Sequence, residues 1–304
     1  MLQSVEEPPS SLRTIRFTNL GDLIRAIDAA PGDALRVTSL FNLTMPYIAF
    51  LPDFLLDVSP TVFKGLDEGY ETHKIHLSVY NEDCQCLIIT VPTQVHEELG
   101  GTLYGELYHH IALMGLGQRW AIKGHATFHN TRNPTRSAGA KQADSSGGPR
   151  EGRPRPRFPT IVFDAGYSQT LREMRGKARA WFADSDHNVK IVILSKLVPD
   201  QRTLIIERWE ERRDEELVQV PGCQQRITIA GSWASPSAYQ VVESGDLILS
   251  FQLLFLRDPG PGEGDVIIPI AWIKEHAKQV WETWDEVNEE SGGWLEGRCN
   301  VLVS

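Results

Sequence analysis

The stretch from Thr160 to Ser168, which reads TIVFDAGYS, decides the fold of this chain. Three β-branched residues and a phenylalanine lead into the carboxylate of Asp164, a pattern typical of a buried strand, and Ser168 has the position of a helix N-cap. An apolar stripe follows at helical spacing, at Leu171, Met174, Ala178, Trp181 and Phe182. A second apolar run, Val189 to Leu194, comes next. The sequence therefore predicts a strand, a helix and a strand, joined as a right-handed parallel crossover.

Upstream of this crossover, the sequence predicts a β-hairpin and then one long helix. Lys74 to Val91 alternates as two strands around a turn at residues 81–83. Thr93 caps the helix, whose apolar stripe recurs every four residues, at Val95, Leu99, Leu103, Leu107 and Ile111. A short strand is expected at Ala126 to Phe128. Counting from the helix, the predicted order is αβββαβ: one helix, about three strands, the crossover helix and another strand.

The predicted organisation has three parts. Residues 1–73 are expected to form an N-terminal β/α extension, residues 74–210 an α/β core with a mixed sheet, and residues 211–304 a C-terminal extension of strands and a helix packed on the core. The elements expected in the two extensions are a strand at Arg13 to Phe17, a helix behind Asn19, strands at Arg226 to Ile229 and Leu247 to Phe255, and a helix from Ala271 to Glu290.

Composition narrows the class of protein. The chain has 304 residues, of which 41% are hydrophobic and 23% charged, as in a globular protein with a sizeable core. Its longest apolar stretch is broken by Pro46, Pro52 and Asp53, so no membrane span is expected. The start, MLQSVEEPPSS, lacks the basic and apolar regions of a secretory signal, and four scattered cysteines do not form a disulfide framework. We therefore expect an intracellular protein, cytoplasmic or nuclear.

Charge restricts the way in which the chain can meet nucleic acid. The net charge is −10, which opposes bulk attraction to a phosphate backbone. From Asn130 to Pro159, however, seven basic residues face two acidic ones, so this segment carries +5 and the rest of the chain −15. A nucleic-acid partner would therefore bind locally, through residues 132–157. The alternative is a solvated, irregular loop rich in glycine, proline and arginine, spanning about 131–157.

Two acidic residues are candidates for chemistry. Asp144 lies in the segment KQADSS at residues 141–146, and Asp164 ends the strand that decides the fold. Carboxylates brought together at the ends of neighbouring strands provide the oxygen ligands that Mg²⁺ prefers. A metal held there activates water and stabilises a phosphate under attack.

In combination, these features resemble the PD-(D/E)XK superfamily of restriction-endonuclease-like proteins, and more closely a group of uncharacterised fungal proteins with that fold. The matching pieces are ADSS at 143–146, FPTIVFDAGYS at 158–168, VPT at 91–93 with His96 and Glu97 opening the helix, VKIV at 189–192, ERW at 207–209 and LFLR at 254–257. The resemblance covers roughly Leu87 to Trp281. It implies a restriction-endonuclease-like αβββαβ core with Mg²⁺ as cofactor, DNA or RNA as substrate, and Asp144 and Asp164 as the metal-binding acids.

The chain also departs from this pattern. The superfamily places a lysine two residues after the second acid, where this chain has Gly166. We expect Lys177, on the crossover helix, to replace it, because Lys190 should lie at the opposite end of the parallel pair. Glu97 is a candidate third metal ligand, or else a charge favourably placed at a helix N-terminus. His96 is expected to be a core histidine.

Two functions remain open from the sequence. One is a Mg²⁺-dependent nuclease that hydrolyses phosphodiesters in DNA or RNA. The other is a catalytically inactive nuclease fold that serves as a binding or scaffold module, which the absence of the motif lysine favours. A serine or cysteine hydrolase has little support, since no Gly-x-Ser-x-Gly elbow occurs. The sequence leaves homo-oligomerisation open.

Overall fold

The computed structural model describes most of the chain from Phe54 to Glu290. The described residues are 54–57, 59, 61, 64, 76–81, 86–90, 94–124, 126–129, 140–152, 158–167, 169–213, 218–243 and 245–290. The chain divides into two compact units. The first takes in Met1–Pro92, Thr127–Gln142 and Ser168–Gly176, and the second takes in Thr93–Ala126, Ala143–Tyr167 and Lys177–Ser304. The N-terminal strand and helix predicted at residues 13–30 lie outside the described residues.

The described residues contain fourteen strands and four α-helices of different lengths. The strands are β1 Phe54–Asp57, β2 His76–Asn81, β3 Cys86–Thr90, β4 Trp120–Ile122, β5 Thr127–His129, β6 Ala140–Gln142, β7 Ser145–Pro149, β8 Ile161–Gly166, β9 Ile191–Val198, β10 Thr203–Arg213, β11 Gln219–Ser232, β12 Ser235–Glu243, β13 Leu247–Leu249 and β14 Val266–Ile268. The helices are α1, which runs through Gln94–Glu97, a π-helical turn Glu98–Thr102 and Leu103–Leu113, then α2 Leu171–Asp184, α3 Phe251–Phe255 and α4 Ile270–Glu290.

The second unit is built on a seven-stranded mixed sheet. Its order is β12-β11-β10-β9-β8-β7-β4. One neighbouring pair in this sheet, β8 and β9, is parallel, with Ile161 opposite Ile191 and Gly166 opposite Lys196. The other neighbours are antiparallel. In chain order, α1, β4, β7, β8, α2 and β9 follow the pattern αβββαβ. The predicted fold class, with its parallel crossover, is therefore confirmed.

The first unit carries a separate sheet of five strands in the order β1-β3-β2-β6-β5, all antiparallel. The hairpin predicted at Lys74 to Val91 is confirmed as β2 and β3. The strand predicted at Ala126 to Phe128 also exists, as β5, but it pairs with β6 in this sheet and not in the mixed sheet. Between β4 and β7, the chain thus leaves the αβββαβ core for two strands and then returns.

Helix α1 forms as its sequence predicts, with one local change. All five residues of the apolar stripe are buried, at 0 to 2% exposure. They join a hydrophobic core that also takes in residues of β8, β9, β10 and α4. The π-helical turn carries Gly100, where an added Cβ would lie 3.3 Å from the Cβ of Ala165. A glycine there lets the helix approach the end of β8 closely.

Two other sequence predictions are wrong in part. The segment 131–157 was expected to be mostly irregular, but residues 140–142 and 145–149 form β6 and β7, and Ser146 to Pro149 are buried. The run Leu247 to Phe255 was expected to be one strand, but it divides into β13 and the short helix α3 at Ser250. In both places tertiary packing overrides the secondary structure that the local sequence favours. No helix in the described residues is long and apolar enough to cross a membrane.

His276 on α4 makes the stability of the second unit depend on pH. Its side chain is 1% exposed and its ring stacks on Trp272 with centroids 5.2 Å apart. Burial lowers the pKa of His276 to about 4, and the nearby carbonyl of Leu99 offsets little of this effect. Neither ring nitrogen makes a hydrogen bond of good geometry within the described residues. The native protein therefore holds this imidazole neutral.

Stability is expected to fall as the pH drops from about 6.5 towards 4. In this window the unfolded chain binds a proton at His276 and the folded chain does not, so stability rises with pH. Between pH 7 and pH 5 the loss should be about 2 kcal/mol. Urea unfolding at several pH values measures it. His276→Phe should remove this part of the pH dependence, and the same replacement at the exposed His109 should leave it unchanged.

Candidate functional site

The two candidate acids stand at the same end of one pair of strands. In the antiparallel β7/β8 ladder, Ser145 lies opposite Phe163. Asp144 directly precedes Ser145 and Asp164 directly follows Phe163, so each acid lies one residue beyond the same pair. Asp144 is 8% exposed and Asp164 is 2% exposed. The fold thus brings two buried carboxyl groups, one just before β7 and one on β8, to the same end of this strand pair.

The carboxylate of Asp164 points towards α2. Trp181, on the part of α2 that belongs to the second unit, donates its indole N–H to Asp164 Oδ2 at 2.9 Å. Trp181 is itself 1% exposed, so water does not compete for this hydrogen bond. A charged acceptor makes the bond stronger than one between neutral groups, and it fixes the rotamer of the carboxylate.

The carboxylate of Asp144 points towards α1 and the backbone of β8. Its Oδ2 accepts the backbone N–H of Ala165 at 2.6 Å and lies 3.3 Å from His96 Nε2. Because β7 begins one residue later, Asp144 supplies an acceptor where the strand itself offers none. Asp144 therefore has a structural role at the strand end, whatever else it does.

His96 belongs to the site, although the sequence predicted an ordinary core histidine. It is 7% exposed and faces Asp144. Burial alone would lower the pKa of His96, but the Asp144 carboxylate, with a smaller contribution from Glu97, raises the pKa above its ordinary value. The raised pKa of His96 favours its imidazolium form beside the Asp144 carboxylate, and that positive charge offsets part of the cost of burying the carboxylate.

Lys177 and Glu97 both act on this pair through their charges. The charge of Lys177 lowers the pKa of His96, so the ammonium group lies within electrostatic range of His96. Lys177 also precedes Trp181 by one helical turn and so shares its side of α2. Glu97, by contrast, is exposed on the first turn of α1. Both charges therefore act on His96, the half-buried Lys177 as well as the exposed Glu97, and the effect of Glu97 is the larger.

The sequence missed a second lysine, Lys196. The predicted strand stopped at Leu194, but β9 continues to Val198 and places Lys196 directly opposite Gly166. Lys196 is 7% exposed, and its ammonium donates to the backbone carbonyl of Tyr167. The signal that identifies it is the parallel register: Ile161 pairs with Ile191, so the partner of Gly166 lies thirty positions later. Lys190, as predicted, lies at the other end, before β9 begins.

Asp144 and Asp164 are the carboxylates that would hold a Mg²⁺ ion here. Among the described residues, no three His, Cys, Asp or Glu side chains form a group that would hold a metal ion. Mg²⁺ does not require such a cage, because it is commonly bound by one or two carboxylates together with water and substrate phosphate. Asp144 and Asp164 are hard oxygen donors, and each is oriented by an N–H group, as ligating carboxylates usually are.

No protein-family model matches this chain, and no curated protein matches its sequence. Among solved structures, it matches the crystal structure of an Anabaena variabilis protein described as a "putative nuclease belonging to DUF820". The two chains are 11% identical, the match covers 66% of this chain and 90% of that chain, and the TM-score is 0.37. At this level of similarity, a functional assignment depends on the residues of the chain itself.

Proposed function

We propose that this chain is a Mg²⁺-dependent phosphodiesterase that acts on DNA or RNA. The observation that carries the proposal is the pair of buried acids, Asp144 and Asp164, one residue beyond the same β7/β8 pair. Burying carboxylates is costly, and such groups collect at functional sites more often than elsewhere. The resemblance of the surrounding sequence to nucleases of the PD-(D/E)XK superfamily supports the same assignment.

In this proposal, Asp144 and Asp164 hold the metal. Mg²⁺ supplies positive charge that stabilises the phosphate as water attacks it. The chain's own residues prepare the acids: the indole of Trp181 and the backbone N–H of Ala165 fix the two carboxylates. Their burial keeps the rotamers restricted, so the ligands need little reorganisation when a metal binds.

A nucleic-acid partner is part of the proposal, and the described end of the basic segment supports it. Arg150 follows β7 and is exposed, and its backbone N–H donates to the carbonyl of Arg119, which precedes β4 and is also exposed. Two arginines that flank neighbouring antiparallel strands can contact a phosphate backbone locally. Such contacts agree with a chain whose overall charge is negative.

The second candidate is an inactive nuclease fold that binds a partner. The hydrogen bond from Ala165 and the facing imidazole of His96 favour it, because they give Asp144 a structural role that needs no metal. The two candidates differ in one measurable property. The enzyme must bind Mg²⁺ through both acids, and the scaffold need not.

Calorimetric titration with Mg²⁺ tests the proposal, together with hydrolysis of plasmid DNA, single-stranded DNA and structured RNA. The wild type is expected to bind Mg²⁺ and to hydrolyse at least one substrate only when the metal is present. The Asp144→Ala, Asp164→Ala double variant should lose at least about 100-fold in metal affinity and in activity. An Asp200→Ala, Glu286→Ala variant removes two exposed acids from the same unit and should keep both properties.

Three results would contradict the phosphodiesterase. They are a wild type that shows no heat of Mg²⁺ binding, a double variant that binds the metal as well as the wild type, and a protein that binds Mg²⁺ but hydrolyses none of the substrates. The first would also establish the scaffold as the better description of the fold. Circular dichroism and thermal unfolding of each variant confirm that the chain remains folded.

A further inference from the structure

We propose that Lys196 is the catalytic cation that contacts the scissile phosphate. This inference rests on the proposed phosphodiesterase and names a further residue of that same site. The observation behind it is the position of Lys196 opposite Gly166 in the parallel β8/β9 pair. The sequence alone had favoured Lys177 for this role.

The register places Lys196 on the same face of the sheet as Asp164. Alternate residues of a strand point to the same face, so Gly166 shares the face of Asp164, and directly paired residues of neighbouring strands share a face as well. Asp164 lies opposite Leu194, two residues before Lys196. From the strand spacing and the rise per residue, the Cα atoms of Asp164 and Lys196 are about 8 Å apart, within reach of a long side chain.

Gly166 has no side chain at the position paired with Lys196. The ammonium of Lys196 donates to the carbonyl of Tyr167, the residue that follows Gly166. The lysine therefore crosses from β9 to the end of β8, on which Asp164 lies. This hydrogen bond helps to fix the position of the ammonium group.

The burial of Lys196 marks it as unusual. Lysine is rarely found with only 7% of its surface exposed, because removing an ammonium group from water is costly. A cation held in a fixed place on the same face of the sheet as the buried Asp164 is arranged in advance for an anionic substrate. Preorganised charge of this kind supplies much of the stabilisation of a transition state. The competing explanation is structural: Lys196 satisfies the carbonyl of Tyr167 and has no part in the chemistry.

The other two lysines near these strands are placed differently. Lys190 lies at the opposite end of the pair, where its ammonium donates to the carbonyl of His187. Lys177 approaches from α2, and its charge acts on His96. Of the three, Lys196 is the one that extends from the sheet at the position of Gly166.

Lys196 acts in hydrolysis without giving up a proton. The oxygen of water forms a bond to phosphorus, and the bond from phosphorus to one ester oxygen breaks. That ester oxygen takes one proton, the second proton of water remains on the phosphate or passes to solvent, and no oxidant or reductant is needed. The ammonium of Lys196 hydrogen-bonds a non-bridging phosphate oxygen, whose negative charge grows as water attacks.

An exchange of the two paired residues tests this assignment. Lys196→Met, which keeps most of the apolar length of the side chain and removes the ammonium group, is expected to lower kcat by about 100-fold or more on whichever nucleic acid the wild type hydrolyses. Its Mg²⁺ affinity by calorimetry should remain within about threefold, because the acids are unchanged. The exchanged variant Lys196→Gly, Gly166→Lys returns an ammonium to the same face from the neighbouring strand, and should recover at least about tenfold over Lys196→Gly alone.

The outcomes separate this inference from the proposed function. A wild type with neither metal binding nor hydrolysis overturns both. An active wild type with a folded, fully active Lys196→Met overturns only the role of Lys196, and a large loss of kcat in Lys177→Met alone would return that role to Lys177. If Lys196→Met unfolds, the exchanged variant decides: a folded but inactive exchanged protein contradicts the assignment. Thermal unfolding and circular dichroism accompany each variant.

Discussion

Replacing Gly147 with alanine is expected to destabilise the protein by about 3 kcal/mol, at the upper end of what overpacking usually costs. A Cβ at this position in β7 would lie 2.5 Å from Trp120 Nε1 and closer still to the hydroxyl oxygen of Tyr104. These two side chains are joined by a hydrogen bond of 3.1 Å and are buried. Burial also raises the pKa of Tyr104 to about 12, so the hydroxyl stays neutral. The methyl group must break this contact or move the strand.

Urea unfolding measures the change, and two other variants make the measurement specific. Gly105→Ala lies on the exposed side of α1 with nothing within 4 Å of the new Cβ, and it should stabilise the protein by about 0.5–1 kcal/mol. Adding Tyr104→Phe to Gly147→Ala removes the nearest atom and should recover part of the loss. A Gly147→Ala protein as stable as the wild type would show that β7 does not pack against this aromatic pair.

The crossover and the long helix were predictable because their signals are local. An apolar run bounded by Pro159 and Ser168, a stripe at helical spacing and a second apolar run allow one arrangement in a sheet. The structure places the parallel strands at Ile161–Gly166 and Ile191–Val198. The stripe of α1 is likewise fully buried. Regular periodicity over ten or more residues is hard to imitate by chance.

Strand β7 was not predictable from composition. Its sequence, SSGGP, contains no large apolar residue, and glycine, serine and proline are common in loops. The strand is nevertheless an interior strand of the mixed sheet, between β4 and β8. The large side chains Trp120 and Tyr104 pack against β7, because the small residues of the strand leave room for them. The hydrophobic pattern of a segment reflects its own side chains and does not show which side chains from other elements pack against it.

Lys196 was missed for a related reason. Ser195 and Lys196 interrupt the apolar run of β9, so the predicted strand ended at Leu194. The backbone continues as a strand because β10 pairs with it through Leu197 and Val198. Functional sites often interrupt the hydrophobic pattern of a strand with polar residues near its end, as Ser195 and Lys196 do here. The acids were found because they resemble a known motif, whereas the lysine matches no local pattern and requires the register.

Replacing Arg202 with methionine is expected to cost about 3 kcal/mol, the second large effect on stability. Arg202 is 2% exposed and forms two hydrogen bonds with the carboxylate of Asp285, at 3.0 and 2.7 Å. Its guanidinium also lies over the rings of Trp233 and Trp281, at 4.6 and 5.0 Å from their centroids. The substitution removes the charge that these groups surround. Since Asp285 is 36% exposed, water can solvate it afterwards, which limits the loss.

The shape of the guanidinium, as well as its charge, accounts for this effect. Arg202→Lys keeps a cation but cannot bond both oxygens of Asp285 or lie flat between two indole rings, so it should recover only part of the loss. Arg257 offers a matched control: it pairs with Glu263 through both terminal nitrogens and lies over Phe251, but it is 39% exposed. Arg257→Met should have a much smaller effect, because water already screens that pair. Equal losses of stability at the two positions in urea unfolding would show that burial does not set the strength of the Arg202 interactions. An Arg202→Met protein as stable as the wild type would show that Arg202 does not stabilise the packing of β10, the β11–β12 hairpin and α4.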